Sequence, residues 1–403
     1  MIKKLFLILF AFNSLLFSQQ NGFVGIQGKK FITPDGKPIL LKGTNLGNWL
    51  VPEGYMFHFQ KVSSPRMIYE LFNILVGEDE ANKFWNEYRN NYITKEDIHF
   101  IKNLGFNSIR IPFSYRLFVS DYPEHKLEGV GYGLLERVVK WCKEENLYAI
   151  LDMHCAPGGQ TGDNIDDSFG YPFLFESPES QQLTADIWKK LAEIFKDETI
   201  IIGYDLLNEP IAHYFDAEKL NPLLEPLYKK ITKAIREVDN NHLIFLGGAQ
   251  WDTNFKVFGK PFDDKLVYNF HKYWTEPTQD VIQEYIDFSN KYNVPLWMSE
   301  SGENTDEWID EFRTLLETNN ISWSFWPYKK MESTRGIVSI NQPEFFDLII
   351  DFAENSSFDY GSIRDNRPDF EKVKSALNQY LENCKIKNCK VNDGYIKSLG
   401  LIK

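Results

Sequence analysis

Two glutamates stand out by position. Glu209 follows the run G-Y-D-L-L-N, and Glu300 follows P-L-W-M-S. Each ends an apolar stretch of strand length and has polar neighbours, Asn208 beside the first and Ser299 and Ser301 around the second. Two carboxyls facing each other across a cleft are what cleavage of a glycosidic bond requires. One protonates the departing oxygen, and the other attacks the anomeric carbon or activates water. Most glutamates are solvated surface residues, so one strand-end Glu would carry little weight; two, on the fourth and seventh of eight comparable runs, reverse that preference. Glu303, in S-E-S-G-E, is a rival for the second role, but Glu300 is the residue that ends the apolar run, and catalytic side chains come from strand ends.

Holding two such groups face to face requires a scaffold. Short apolar runs recur at residues 39–43, 108–112, 148–154, 200–208, 243–247, 266–271, 295–300 and 322–326. Between them lie segments with helical patterning, including 96–104, 134–146, 181–195, 220–238, 281–292, 305–319 and 344–353. Continuous apolar runs are the mark of parallel strands buried on both faces. Eight alternating units predict an α/β fold, a (β/α)8 TIM barrel whose C-terminal strand ends line the active site. A doubly wound open sheet is the competitor, but neither a GxxxxGK[ST] nor a GxGxxG turn occurs. Residues 23–41, with Gly28 and the Pro34-Asp35-Gly36 turn, predict a small β-hairpin ahead of the barrel.

The whole chain fits one catalytic domain. Of its 403 residues, 43% are hydrophobic and 25% charged, which excludes disordered and fibrous classes. The formal net charge of −13 argues against nucleic acid and anionic membrane partners. Residues 1–18, a basic start followed by an apolar run to Phe17, read as a secretory signal peptide, which predicts a secreted or periplasmic protein with no later membrane association. The domain is expected over 19–380, with 381–403 as a peripheral extension and the protein as a monomer. Cys384 and Cys389 are positioned to close a small loop, whereas Cys142 and Cys155 are expected to stay unbridged. No CxxC, HExxH or paired-His spacing appears, so no metal or cofactor is predicted.

Reading the strand ends in order gives Arg110 in S-I-R-I-P, His154 in L-D-M-H, the triplet Asn208-Glu209-Pro210, His271 and Tyr273 in H-K-Y, Glu300, and Trp326. This ordered set resembles glycoside hydrolase family 5, over residues from about 23 to 326. The resemblance implies a retaining β-glycosidase with Glu209 as acid/base and Glu300 as nucleophile. It further implies that the charge of Glu300 raises the pKa of Glu209, that Arg110 keeps Glu300 ionised, and that Tyr273 hydrogen-bonds Glu300. Asn208 would meet the sugar 2-hydroxyl, and His154 and His271 would complete a polar floor. Trp49, Trp251, Trp274 and Trp326, at or just past strand ends, are candidates for stacking on pyranose faces; Trp141, Trp188 and Trp308 lie in helical segments and read as packing.

The stretches KGTNLGNWLVPE and HCAPGGQTGDN are similar to segments of the exo-β-1,3-glucanase-like branch, although Cys155 stands where a glycine is usual there. A β-glucan is therefore the expected substrate. The same framework resembles cellulases and β-mannanases, so linkage, sugar and endo or exo action stay open. A non-catalytic carbohydrate-binding barrel and a metal-dependent barrel hydrolase are the readings from other classes. The first would lose a carboxylate, and the second would need more ligands than Asp152 and His154.

Overall fold

The computed structural model describes residues 22–120 and 124–401; the expected signal peptide lies outside them. Eight strands, β4 (Lys42–Asn45), β5 (Ser108–Ser114), β6 (Tyr148–Cys155), β7 (Ile201–Asp205), β8 (Leu243–Gly247), β9 (Leu266–His271), β10 (Leu296–Glu300) and β11 (Ser322–Phe325), close into one barrel. Every neighbouring pair is parallel, with β11 returning to β4. This is the predicted (β/α)8 barrel. Among the described residues, no helix is long and apolar enough to cross a membrane.

Ahead of the barrel, β1 (Gly25–Gln27), β2 (Lys30–Ile32) and β3 (Pro38–Ile39) form an antiparallel sheet. The predicted hairpin therefore has a third strand, taken from the run assigned to the first barrel strand. Pro38 lacks an N–H and sits on the edge of this sheet, where no ladder bond is lost. The sheet plugs the N-terminal mouth of the barrel. Val24, Phe31 and Leu41 pack with the inward-facing Ile150, Ile202, Leu243, Phe245, Val267 and Trp297. The Phe31 ring stacks on Phe245 at 6.3 Å, and Phe245 meets Trp297 edge-on at 5.0 Å. Burying each such side chain contributes about 1.5–3 kcal/mol, so the plug anchors the end opposite the strand termini that matter.

The surrounding helices bury one stripe each. The helix Ala217–Arg236 turns Leu220, Leu224, Leu227, Ile231 and Ile235 toward the strands, and the Asp216 side chain caps its start by accepting from the Lys219 N–H at 3.1 Å.

The C-terminal segment is less peripheral than its composition implied. β12 (Lys329–Met331) and β13 (Val338–Ile340) extend past the barrel, and β14 (Lys390–Val391) pairs with β13. Beyond it Tyr395, Ile396 and Leu399 are buried in the main core. Cys384 and Cys389 are both free thiols, as are Cys142 and Cys155. The intervening loop is held without a bridge, by Asn388 donating to the Glu382 carbonyl at 2.7 Å and by the Cys389 thiol against the Asn383 carbonyl.

Candidate active site

Above the plug, the period-two alternation of the strands stacks side chains in layers. On β6 the inner face runs Ile150, Asp152, His154, and on β9 it runs Val267, Asn269, His271, so each strand passes from apolar plug to polar ring to cleft. β10 would break this order. Trp297 faces in and Met298 faces the outer core, so strict alternation would turn Glu300 outward. A register shift between Met298 and Glu300 inserts one residue and pairs Glu300 with His271. This bulge is what turns Glu300 into the barrel.

Arg110 is the centre of the polar layer. Its guanidinium, wholly buried, donates Nε to Asp205 at 2.8 Å, Nη1 to Asn45 at 3.3 Å and Nη2 to Asn208 at 2.9 Å. It lies 3.1 Å from Asp152 and pairs directly with Glu300 Oε1. Burial opposes its charge, but Asp152, Asp205 and Glu300 outweigh that and hold it protonated above its usual range. Burial in turn pushes Asp152 and Asp205 up to about 7.

The two glutamates have different surroundings. Glu300 accepts from Arg110 through Oε1 and from the Tyr273 hydroxyl through Oε2 at 3.1 Å. Glu209 Oε1 faces His271 Nδ1 at 2.7 Å. Burial raises the Glu209 pKa to about 7, against the lowering influence of His154 and Arg110. The leading cause is therefore desolvation and not, as the sequence reading had it, the charge of Glu300. Burial also keeps His271 and His154 neutral, lowering them to about 3 and about 4. Single oxygens of Glu209 and Glu300 and a ring nitrogen of His271 lie within 4.8 Å of one another. Each carboxylate already has protein partners there, and the Arg110 cation against Glu300 disfavours a second positive charge at the same oxygens.

Glu209 sits past the end of β7, which stops at Asp205, three residues short of the expected run. Its backbone is left-handed, with φ of 46°. Such a conformation in a non-glycine residue costs of order 1 kcal/mol and has to be held by its neighbours. Here the Glu209 N–H donates to Asp252 Oδ2 at 3.2 Å, and Thr161 Oγ1 donates to the Glu209 carbonyl at 2.8 Å. Gln160 ties the same turn to β6, donating to the carbonyls of His154 and Asn208 at 2.7 and 2.9 Å.

The cleft over these groups has a volume of about 600 Å³, in the range of small-molecule sites. His154, Glu209, Trp251, His271, Tyr273, Trp274, Glu300 and Trp326 line it. Trp274 is 72% exposed at the rim. Trp326 lies flat against the His154 ring at 5.5 Å and donates Nε1 to the Tyr55 hydroxyl at 2.6 Å. Arg110 and Asn208 lie beneath the floor. Asn208 is clamped between Arg110 and His154, whose Nε2 is 3.3 Å from its amide nitrogen.

Trp49 departs from expectation. It is 1% exposed in the outer core, with Nε1 donating to the Arg89 carbonyl at 2.9 Å. The chain turns at Asn48, with φ of 62°, just before it, and the indole goes under the loop instead of over the cleft. Glu303, the rival nucleophile, lines the rim, paired with Lys330; it does not reach Arg110.

Glu53, Tyr55 and Asp252 were missed from sequence. Glu53 ends the quoted stretch KGTNLGNWLVPE and lines the cleft with Oε1 making no hydrogen bond, 3.8 Å from His154 Nε2. Burial first, then the charges of Glu300, Glu303 and Glu209, raise its pKa well above the usual carboxylate range. Its place in that stretch was the available signal. Asp252, in Q-W-D, had none, because it is brought in by three successive left-handed residues, Gln250, Trp251 and Asp252.

The model of the cellulase family, glycosyl hydrolase family 5, matches residues 64–332. The chain is 31% identical over 254 residues to a beta-xylosidase of Phanerodontia chrysosporium, covering 62% of this chain and 52% of that one. It is 30% identical over 313 residues to endoglucanase C of Acetivibrio thermocellus, covering 62% and 88%. It is 26% identical over 250 residues to glucan 1,3-beta-glucosidase 2 of Schizosaccharomyces pombe, covering 58% and 42%. The chain thus spans about half the length of the first and third of these relatives. An endogalactoceramidase crystal structure superposes with a TM-score of 0.62 at 15% identity, over 94% of this chain and 84% of that one, a likeness of fold. By the family match, the eight-stranded barrel and the homologous endoglucanases and glucosidases together, the chain belongs to glycosyl hydrolase family 5, the cellulase family, and is a glycoside hydrolase.

Proposed function

We propose that this protein is a retaining hydrolase of a β-glucan, working by double displacement with Glu209 as acid/base and Glu300 as nucleophile. The observation that carries the reading is the contrast between the two carboxyls on one cleft floor. Glu300 is held by the Arg110 cation and the Tyr273 hydroxyl, an environment suited to an ionised nucleophile. Glu209 faces a neutral histidine, and its pKa of about 7 lets it carry a proton at rest. One oxygen of each carboxyl lies within 4.8 Å of the other, closer to the roughly 5–5.5 Å carboxyl separation of retaining enzymes than to the about 6.5–9.5 Å of inverting ones.

In the first step Glu300 attacks the anomeric carbon, while Glu209 gives its proton to the glycosidic oxygen. In the second, Glu209 takes a proton from water, which releases the sugar from Glu300. Trp326, Trp251 and Trp274 offer flat faces for pyranose rings. The endoglucanase and 1,3-beta-glucosidase relatives support a glucan, beside a beta-xylosidase relative. We place the protein outside the cytoplasm on the strength of its first 18 residues, as a monomer.

The test is reducing-sugar release from laminarin, barley mixed-linkage glucan, carboxymethylcellulose and mannan, with Glu209→Gln and Glu300→Gln beside wild type. Activity on a glucan that disappears in both variants is expected and would name the linkage. Release from mannan alone would overturn the glucan reading. Oligosaccharide binding without turnover of any polymer would favour a binding protein on the same framework.

A further inference from the structure

The acid/base turn brings a third carboxyl to the site, on the far side of His271. His271 Nδ1 faces Glu209 Oε1 at 2.7 Å, and Nε2 faces Asp252 Oδ2 at 3.3 Å. That approach is within ion-pair distance but off hydrogen-bond alignment, so Nε2 makes no hydrogen bond, and neither does the second Asp252 oxygen, Oδ1. Asp252 is fully buried and its placement is built. Any side chain at Gly247 on β8 would put its first carbon 1.9 Å from Asp252 Oδ1, and the left-handed residues 250–252 turn the carboxyl inward. The same Oδ2 accepts the Glu209 N–H.

A neutral imidazole carries one N–H and can donate on one side only. With a carboxyl on each side, the other carboxyl has to donate to the ring. Resting on the assignment of Glu209 as acid/base, we propose that Glu209 and Asp252 share one proton across His271, so that Asp252 sets the protonation of the acid/base. In one arrangement Glu209 holds the proton and donates to Nδ1, while Nε2 carries its proton beside the Asp252 carboxylate, which a small rotation of the ring would bring into line. In the other, the Glu209 proton has moved to Nδ1 and the Nε2 proton to Asp252 Oδ2, leaving Glu209 as the carboxylate. Two protons move, none is gained or lost, and the ring stays neutral. Glu209 is thereby ready to donate in the first arrangement and to accept from water in the second.

The groups facing Asp252 fit a shared proton. Glu209 and His271 flank it, the charges of Asp205 and Glu209 disfavour its ionised form, and Arg110 is the nearby cation; the hydroxyls of Tyr228 and Tyr285 are close enough to feel its charge. Burial is the largest influence on Asp252, as it is on Glu209, and both are raised. Two carboxyls in this relation titrate as a pair.

The experiment compares Asp252→Asn with wild type in pH profiles of kcat/KM. One substrate is the polymer that wild type degrades, and the other is 2,4-dinitrophenyl β-cellobioside, whose leaving group needs no proton. Loss of the second carboxyl should move the basic limb to lower pH by about one unit. The polymer rate should fall at least about tenfold further than the aryl glycoside rate. A limb that stays put, or equal losses on both substrates, would overturn the shared proton while leaving the glycosidase reading intact. Wild type inactive on every polymer and on the aryl glycoside removes both. Because the isosteric variant could unfold, a second readout uses wild type alone. The ¹⁵N shifts of His271 between pH 5 and 9 should report both tautomers in exchange, and a single fixed tautomer would count against the proposal.

Discussion

The Tyr273 hydroxyl lies 3.1 Å from Oε2 of Glu300, while Arg110 engages Oε1 of the same carboxylate. Both oxygens are therefore held, and the carboxylate has little freedom to rotate away from the cleft. Tyr273→Phe would leave Oε2 without its donor. A hydrogen bond to a charged group is worth about 1.5–3 kcal/mol, so kcat should fall on the order of 10- to 100-fold with the fold intact by circular dichroism. Unchanged kcat would mean that the tyrosine does not orient the nucleophile.

The raised pKa of Glu209 predicts how activity depends on pH. The acid form is needed for the first step, so kcat/KM should decline as pH rises through about 7. Glu209→Gln should lose most polymer activity, retain activity on an activated aryl glycoside, which needs no proton from the enzyme, and show no decline through about 7 there. Persistence of the same limb in the variant would assign it to another group.

Stability should follow the same group. Folded Glu209 holds its proton to about 7, whereas a solvated glutamate releases it near 4.5. The folded state thus binds the proton more tightly. Its contribution, of order 3 kcal/mol, is fully present below about pH 4.5 and is lost as pH rises through about 7. Thermal melting from pH 4 to 8 should show Tm falling over that interval, and Glu209→Gln should flatten part of the slope. Asp152 and Asp205, also raised to about 7, supply the remainder. Burial of His154 and His271, lowered to about 4 and about 3, adds stability as pH rises to about 6.5, so the Glu209 contribution is read from the difference between the two proteins, and a wild-type slope no steeper than that of Glu209→Gln would contradict the burial argument.

Gly47 is tied to the cleft by space. A side chain there would place its first carbon 2.5 Å from Trp326 Cη2 and 2.6 Å from Cζ2, where the indole lies against His154 and bonds Tyr55. Gly47→Ala must push the ring off His154, at a cost of about 1–3 kcal/mol for overpacking. A raised KM for oligosaccharides is expected together with a lower Tm. A drop in Tm with KM untouched would remove Trp326 from sugar contact.

How much of this was legible depended on whether a feature follows from local pattern. The eight apolar runs and their polar ends follow from burial on both faces, so the barrel and the strand-end residues His154, His271 and Glu300 could be read from spacing, whereas β5 runs on to Ser114 and places Arg110 in its interior. The inward turn of Glu300 could not, because it depends on a bulge that no period announces. Asp252 was invisible for a similar reason: its approach to His271 is made by left-handed backbone at residues other than glycine. The cause of the Glu209 shift was also out of reach, since desolvation depends on how completely the barrel closes over the group.

Trp49 and Trp274 look alike in sequence, each a tryptophan just past a strand end, and the structure separates them. Trp49 is sealed in the outer core and bonds the Arg89 carbonyl, whereas Trp274 is 72% exposed at the cleft rim. Trp49→Ala should cost about 3–5 kcal/mol of stability, as expected for a large core aromatic, and leave KM near wild type in whatever protein remains folded. Trp274→Ala should stay within about 0.5 kcal/mol of wild-type stability and raise KM, most of all for longer oligosaccharides that reach the rim. Thermal melting and KM measured on the same two variants decide the matter. If Trp49→Ala raised KM at an unchanged Tm, the indole would have to face the sugar after all, and the turn at Asn48 would need another explanation.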